Sequence, residues 1–298
     1  MLKNKLISKN KVKLIYIAEE DRAFSSVDFV GQCLVDNERT VAFQKAINKL
    51  IKKNHTVLDL GTGSGIMALS AAKAGAKKVY AVEFDTFVAR IASKATLLNK
   101  FKEKVSILIN DARILHFPKK VKFDVVISEM LTTGMVDESQ VQVMNNLHNK
   151  KLVDSSTIFL PLRQDTYISL VNANFNMSGF KIPMILHLWK WHKWSNLKIK
   201  SVTNQLLLSS VFFNKTNNEK FDIVLSFKIK NTGIINSLYL TSRTFLTDKT
   251  FIGDTEALNA PMLIPISEKF VKAGEKVNLK INYVFGSGYK SFNAKFIP

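Results

Sequence analysis

Through the first half of the chain, short apolar runs alternate with segments whose apolar positions recur every three or four residues. Val57-Leu58-Asp59-Leu60, Val79-Tyr80-Ala81-Val82, Val105–Ile109 and Phe123–Ile127 read as strands. Val41, Phe43, Ala46, Ile47, Leu50 and Ile51 keep helical spacing, which predicts a helix from about Asp36 to Lys53 leading into the first strand. Further helices are predicted over Ser64–Ala74, Thr86–Leu98 and Val136–Leu147, the last ended by Lys150-Lys151. Strand–helix–strand alternation of this kind predicts an α/β fold, a doubly wound Rossmann-like parallel sheet. From Ser155 the texture changes. Phe221–Lys230, Ser237–Phe245 and Val277–Phe285 alternate with period two between Asn-Thr-Gly and Ala-Gly-Glu turns, so antiparallel β-structure follows. The expected division is an α/β domain with an N-terminal helical segment over 1–158, then a β-rich, barrel-like substrate or dimerisation domain over 159–298.

Composition narrows the class. Of 298 residues, 46% are hydrophobic, which argues against disorder. No apolar run approaches a membrane span, and the basic start from Met1 to Lys11 lacks the apolar core of a signal peptide, so a cytoplasmic protein with no membrane partner is expected. Cys33 is the only cysteine, which rules out an intramolecular disulfide and leaves no zinc cluster or other metal site to expect. The net charge of +19 comes almost entirely from lysine, with arginine only at 22, 39, 90, 113, 163 and 243. Lysine pairs such as Lys52-Lys53, Lys77-Lys78 and Lys119-Lys120 are scattered along the chain. Two origins stay open: a compositional lysine bias, or an anionic partner such as RNA, an acidic protein or a phosphorylated small molecule. Trp189, Trp191 and Trp194 crowd one short segment; packing in a core or interface is preferred over a base-stacking platform.

The candidate chemistry sits at the first strand's end. Val57–Leu60 runs into Gly61-Thr62-Gly63-Ser64-Gly65, a helix follows, and the second strand ends in Glu83, 22 residues after Gly61. Glycines let the backbone turn sharply and approach a ligand closely. An acid at the second strand's end can accept hydrogen bonds from both hydroxyls of a ribose. The spacing is G-x-G-x-G rather than the dinucleotide G-x-G-x-x-G, and no Gly-Lys-Ser/Thr follows for a nucleoside triphosphate. Asp59, just before the turn, is a poor neighbour for phosphate but can hold an ammonium group. A cofactor with a ribose and an amino-acid tail but no phosphate fits, which is S-adenosyl-L-methionine. Asn110-Asp111-Ala112 leaves the third strand, where a carboxylate can reach an adenine amino group, and Ser128-Glu129-Met130 leaves the fourth. Gly61 to Gly65, Glu83, Asp111 and Glu129 are therefore expected to line one cleft.

These residues, with Asp36-Asn-Glu-Arg39-Thr40 upstream and Ala71–Val79 downstream, resemble the protein arginine methyltransferases. Thr157-Ile-Phe-Leu-Pro161-Leu-Arg163 is similar to that family's crossing into its β-barrel. The family carries two glutamates nine positions apart after the fourth strand; here they are Glu129 and Glu138. The resemblance implies an S-adenosylmethionine-dependent methyltransferase in which Glu129 and Glu138 clamp a guanidinium. It further implies that Arg39 meets the cofactor carboxylate, that Asp59 and Gly61 border its methionine part and that Glu83 takes the ribose. Thr62, Gly63, Gly65, Asp111, Ala112 and Glu129 complete the expected cofactor contacts. A dimer through an arm near residues 175–200 is implied as well.

The chemistry explains the paired acids. A guanidinium stays charged and its nitrogens are weak nucleophiles, so carboxylates that localise its charge leave one nitrogen richer in electrons and hold it in line. Three features depart from the family. Ala257–Pro265 stands in place of its Thr-His-Trp loop, Met130 where a tryptophan follows the first glutamate, and Arg113 where an adenine-binding glutamate is usual. The expected acceptor is a guanidine or amine on a protein or a small molecule, with a hydroxyl left open by the remodelled pocket. Methylation of another small molecule, a ribosomal protein or RNA is the alternative, and a non-catalytic module that binds the cofactor or nucleic acid is the third reading.

Overall fold

The computed structural model describes residues 24–117, 121–194 and 197–298, so Met1–Lys11 and Lys119-Lys120 lie outside the described residues. Five strands, β1 (Thr56–Leu60), β2 (Lys78–Glu83), β3 (Val105–Ile109), β4 (Val125–Ser128) and β5 (Ile158–Leu160), pair in parallel in the order β3-β2-β1-β4-β5. The order reverses between β1 and β4, and that switch point is where such sheets open a ligand crevice. Around it lie α1 (Val27–Val35), α2 (Asn37–Leu50), α3 (Ile66–Lys73), α4 (Thr86–Leu98) and α5 (Gln140–Asn149). The α4 and β3 spans coincide with the periodicity reading. By contrast, the predicted Val136–Leu147 helix begins at Gln140, because Thr133–Met135 first forms a 3₁₀ turn around Gly134 at φ 77°. That break matters, since Glu138 then lies on a turn before the helix.

Beyond the cis Leu160–Pro161 bond the chain becomes antiparallel. Its long strands are β6 (Arg163–Ala173), β11 (Leu206–Phe212), β12 (Lys220–Lys228), β13 (Gly233–Phe245), β15 (Met262–Val271), β16 (Lys276–Val284) and β17 (Asn293–Ile297). Shorter pieces are β7 (Asn176–Met177), β8 (Phe180–Lys181), β9 (Leu186–His187), β10 (Ile199–Ser201) and β14 (Phe251–Ile252). One sheet runs β10-β6-β13-β15-β9, with β11 on β6 and β14 on β13; a second runs β12-β16-β17. The expected boundary at 158 falls inside the parallel sheet, because Ile158–Leu160 pair with Val125–Ile127, so the division lies at Pro161.

Both halves share one apolar core. Phe43, Val57, Ile127 and Leu147 belong to the same packed cluster as Leu240, Met262 and Tyr283. The β-domain is thereby fixed against the cleft. No described helix is long and apolar enough to cross a membrane, and no described group of His, Cys, Asp and Glu is arranged to hold a metal.

Candidate active site

A cleft open to solvent lies at the carboxyl ends of β1, β2, β3 and β4. Arg39, Asp59, Gly61, Thr62, Gly63, Glu83, Asp111, Ala112, Glu129 and Glu138 all line it. Gly65 does not. It sits at φ +85° as the cap of α3, where a Cβ would come 3.3 Å from the Cβ of Ala92, so its role is helix packing. Gly61 and Gly63, at φ +66° and +54°, do face the cavity, and a Cβ on Gly61 would come 2.8 Å from Cγ of Met130. The turn is therefore bare backbone, the cradle that a close-lying cofactor needs.

Beside the turn the acids are held by the backbone. The Gly63 N–H donates to Glu83 Oε2 at 2.9 Å and the Asp85 N–H to Oε1 at 3.0 Å, which leaves a lone pair on each oxygen for a pair of hydroxyls. Burial pushes the Glu83 carboxyl up, against those backbone bonds. Asp59 is 2% exposed; burial raises it to about 7, opposed by the Thr62 hydroxyl, which donates to Oδ2 at 2.6 Å. Asp111 is differently placed. Burial would raise it, but Arg113 donates from its backbone N–H and its guanidinium to both oxygens, at 2.7–3.1 Å, and holds the carboxyl below the usual range. Both of its oxygens are engaged by Arg113, which lines the same cavity.

The two glutamates differ in the same way. Arg39, on the first turn of α2, donates through Nε and Nη2 to Oε2 of Glu129 and through Nη1 to the Cys33 carbonyl at 3.0 Å. Two groups expected to serve a cofactor and a substrate are thus paired with each other, and the Leu131 backbone also bonds the Glu129 carboxyl. Burial raises Glu129, opposed by Arg39. Glu138 accepts no hydrogen bond from any described residue, and burial together with Glu129 and Asp137 pushes its carboxyl well above the usual range. The lining as a whole carries Asp59, Glu83, Asp111, Glu129, Asp137 and Glu138 against Arg39 and Arg113. An acidic cleft in a strongly basic protein calls for a cation.

Three parts of this site were not legible in the sequence. Helix α1 brings Phe29, Val30, Cys33 and Leu34 to the cavity, yet none of its residues is buried, because its apolar face covers the cleft rather than the core. The segment that carries Glu138 is held by the far end of the chain: Tyr283 Oη donates to the Gly134 carbonyl at 2.9 Å, and the Gly286 and Gly288 N–H groups donate to Met135 and Val136 at 3.0 and 2.9 Å. Tyr289 Oη donates to Asp137 at 3.1 Å. Asp36 accepts from the Thr255 hydroxyl and, at 2.8 Å, from the Ala257 N–H, which pins the 255–260 loop so that Ala257 borders the cavity. Trp189 stacks on Trp191 at 4.8 Å and meets Phe29 edge-on at 5.8 Å, so these tryptophans pack on each other and on α1.

Comparison with known proteins agrees with this architecture. Residues 37–201 match the family model described as ribosomal protein L11 methyltransferase (PrmA). An uncharacterised protein of Methanocaldococcus jannaschii is 33% identical over 83% of this chain and 88% of its own length. Protein arginine N-methyltransferase 1 of Saccharomyces cerevisiae is 33% identical over 56% of this chain and 53% of its own, so the chain spans about half of that relative. Among solved structures, the Trypanosoma brucei PRMT1 enzyme–prozyme heterotetrameric complex with AdoHcy superposes with a TM-score of 0.70 at 18% identity, covering 92% of this chain and 98% of that one. Arabidopsis thaliana protein arginine methyltransferase 10 also gives 0.70, at 15% identity. These two share the fold: a parallel-sheet domain followed by a barrel.

Proposed function

This chain belongs to the ribosomal protein L11 methyltransferase (PrmA) family and is an S-adenosylmethionine-dependent methyltransferase related to the arginine methyltransferases, and we propose that its acceptor is a guanidinium held by Glu129 and Glu138. The observation that carries this reading is Glu138: a carboxyl on the cavity wall, without a hydrogen-bond partner among the described residues, and beside further acids. Such a carboxyl ionises when a cation arrives, and two carboxylates suit a planar fork of N–H donors.

The cofactor, when bound, supplies an electrophilic methyl carbon on a sulfonium. For its binding, the bare Gly61–Gly63 turn leaves room, Glu83 offers its lone pairs to the ribose, and Asp59 holds the ammonium. Arg39 keeps two N–H groups beyond its present bonds, which can meet the cofactor carboxylate while Glu129 stays anchored. Glu129 and Glu138 orient the guanidinium and draw its charge away from the reacting nitrogen. The methylated guanidinium carries the same charge as its precursor, so one proton leaves, and Glu138 is the base placed to take it.

The test is Glu138→Gln. Glutamine keeps the shape and loses the charge, so transfer to a guanidine substrate falls by at least about a hundredfold while the cofactor affinity by calorimetry is unchanged. Retained turnover in Glu138→Gln and in Glu129→Gln would sink the clamp. An amine on a ribosomal protein is the second reading, favoured by the family-model match over residues 37–201. Methyl-lysine rather than methylarginine after hydrolysis would establish it.

A further inference from the structure

We propose that the outer face of the β12-β16-β17 sheet binds the phosphate backbone of a nucleic acid. The burial alternation places Lys220, Asp222, Val224, Ser226 and Lys228 of β12 outward, while Phe221, Ile223, Leu225 and Phe227 point to the core. On β16, Lys276, Asn278, Lys280 and Asn282 face out and Val277, Leu279, Ile281 and Tyr283 face in. Register then sets Lys228 directly opposite Lys276, and Lys280 directly opposite Lys295 of β17. Two like-charge cross-strand pairs on one face cost stability in the free protein. Five lysines share this face with a single acid, Asp222, which lies 3.2 Å from Lys280. At a strand rise of about 3.4 Å, Lys220 and Lys228 lie about 27 Å apart, so the charges form a stripe long enough to follow a nucleic-acid strand.

Chemistry chooses the occupant. An acidic peptide would satisfy one or two lysines, whereas a stripe of opposed pairs matches evenly repeated charge along a polyanion. No aromatic side chain lies among the outward positions of the three strands, so bases are not stacked and the contact is with phosphates. The acidic cleft sharpens the case: the surplus positive charge lies outside it, and part of that surplus is collected here. The face is also the opposite side of the sheet from Tyr283, whose hydroxyl reaches Gly134, so a bound strand leaves the cleft open.

The test is fluorescence anisotropy with a labelled RNA of about 20 nucleotides and the same sequence as DNA, across a salt series from about 50 to 200 mM. The variant combines Lys228→Ser, Lys276→Ser, Lys280→Ser and Lys295→Ser. A control combines Lys49→Ser, Lys53→Ser, Lys73→Ser and Lys94→Ser, an equal charge change on exposed positions of the α/β domain. The face variant is expected to lose at least about tenfold in affinity and about 3 from the salt slope, at about 0.7 per single-strand contact, while the control stays within about twofold. Equal losses for RNA and DNA mean that phosphates alone are read, and a larger loss for RNA means that the ribose hydroxyl contributes; both support the proposal. Equal losses in the two variants, or none in either, overturn it. Ultraviolet cross-linking of the unmodified protein gives an independent reading, with adducts expected on residues 220–228 and 276–297 and contradicting the proposal if they map elsewhere. Both measurements score binding without methyl transfer, so they stand apart from the acceptor assignment.

Discussion

At the scale of single residues, burial disfavours the charge of several carboxyls in the cleft. Asp59 shows the consequence for stability. Its pKa lies near 3.9 in an unfolded chain and at about 7 in the fold, so between these values the native state binds the extra proton. Its stabilising contribution is thus full below about pH 4 and lost as the pH rises through 7. Asp59→Asn should change the stability of the cofactor-free protein little at about pH 4 and raise it increasingly toward about pH 8, by at most about 4 kcal/mol. Denaturant titrations at both values check this, and a variant destabilised equally at both would contradict it. Glu83, Glu129 and Glu138 are shifted in the same direction, mainly by burial, while Asp111 goes the other way because Arg113 bonds both of its oxygens.

At the scale of elements, the glycine turn, Glu83 and Glu129 were legible because strand ends carry their chemistry in fixed order. What escaped was the support. The period-two run of β16 reads as a strand, but nothing in it says that its end and exit loop hold the turn before Glu138, with Tyr283 bonded to Gly134 149 residues earlier in the chain. Gly286 makes that dependence testable: at φ +63°, its added Cβ would come 2.6 Å from Gln142 Oε1 and 3.0 Å from the Glu138 carbonyl. Gly286→Ala should therefore lower kcat about tenfold or more with cofactor affinity kept, because a small displacement of a positioned group is costly. An unchanged kcat would show that the turn does not depend on this loop. Gly61→Ala should do the reverse and weaken cofactor binding, read by calorimetry, since φ +66° and the Met130 contact both penalise a Cβ. Helix α1 escaped for another reason: a segment that covers a cavity buries none of its own residues, so core periodicity does not mark it.

At the scale of the molecule, two groups of exposed apolar side chains stand out among the described residues. Phe180, Ile182 and Met184 are 71%, 49% and 62% exposed just after β6, and Phe84, Phe87 and Ile91 form a second exposed cluster around the start of α4. We expect the first to cover the second in another copy of the chain, which gives a dimer by light scattering at micromolar concentration. Phe180→Asp should return it to a monomer, and a monomeric unmodified protein would refute the pairing. The distribution of charge was visible only at the strand ends, where Asp59, Glu83, Asp111 and Glu129 were expected together, and not in the sum. The net +19 alone points the other way, yet Arg39 and Arg113 are the only cations on the described walls of the cleft.

The acceptor decides the account. The protein should be incubated with methyl-labelled S-adenosylmethionine and a native cell lysate, after which macromolecules and small molecules are separated and hydrolysed. Label recovered on methylated guanidines is the predicted result, as methylarginine in the protein fraction or as a free methylguanidine in the other. Label confined to amines such as lysine, or to nucleobases, hydroxyls or thiols, would contradict the reading of Glu129 and Glu138 as a clamp for a guanidinium.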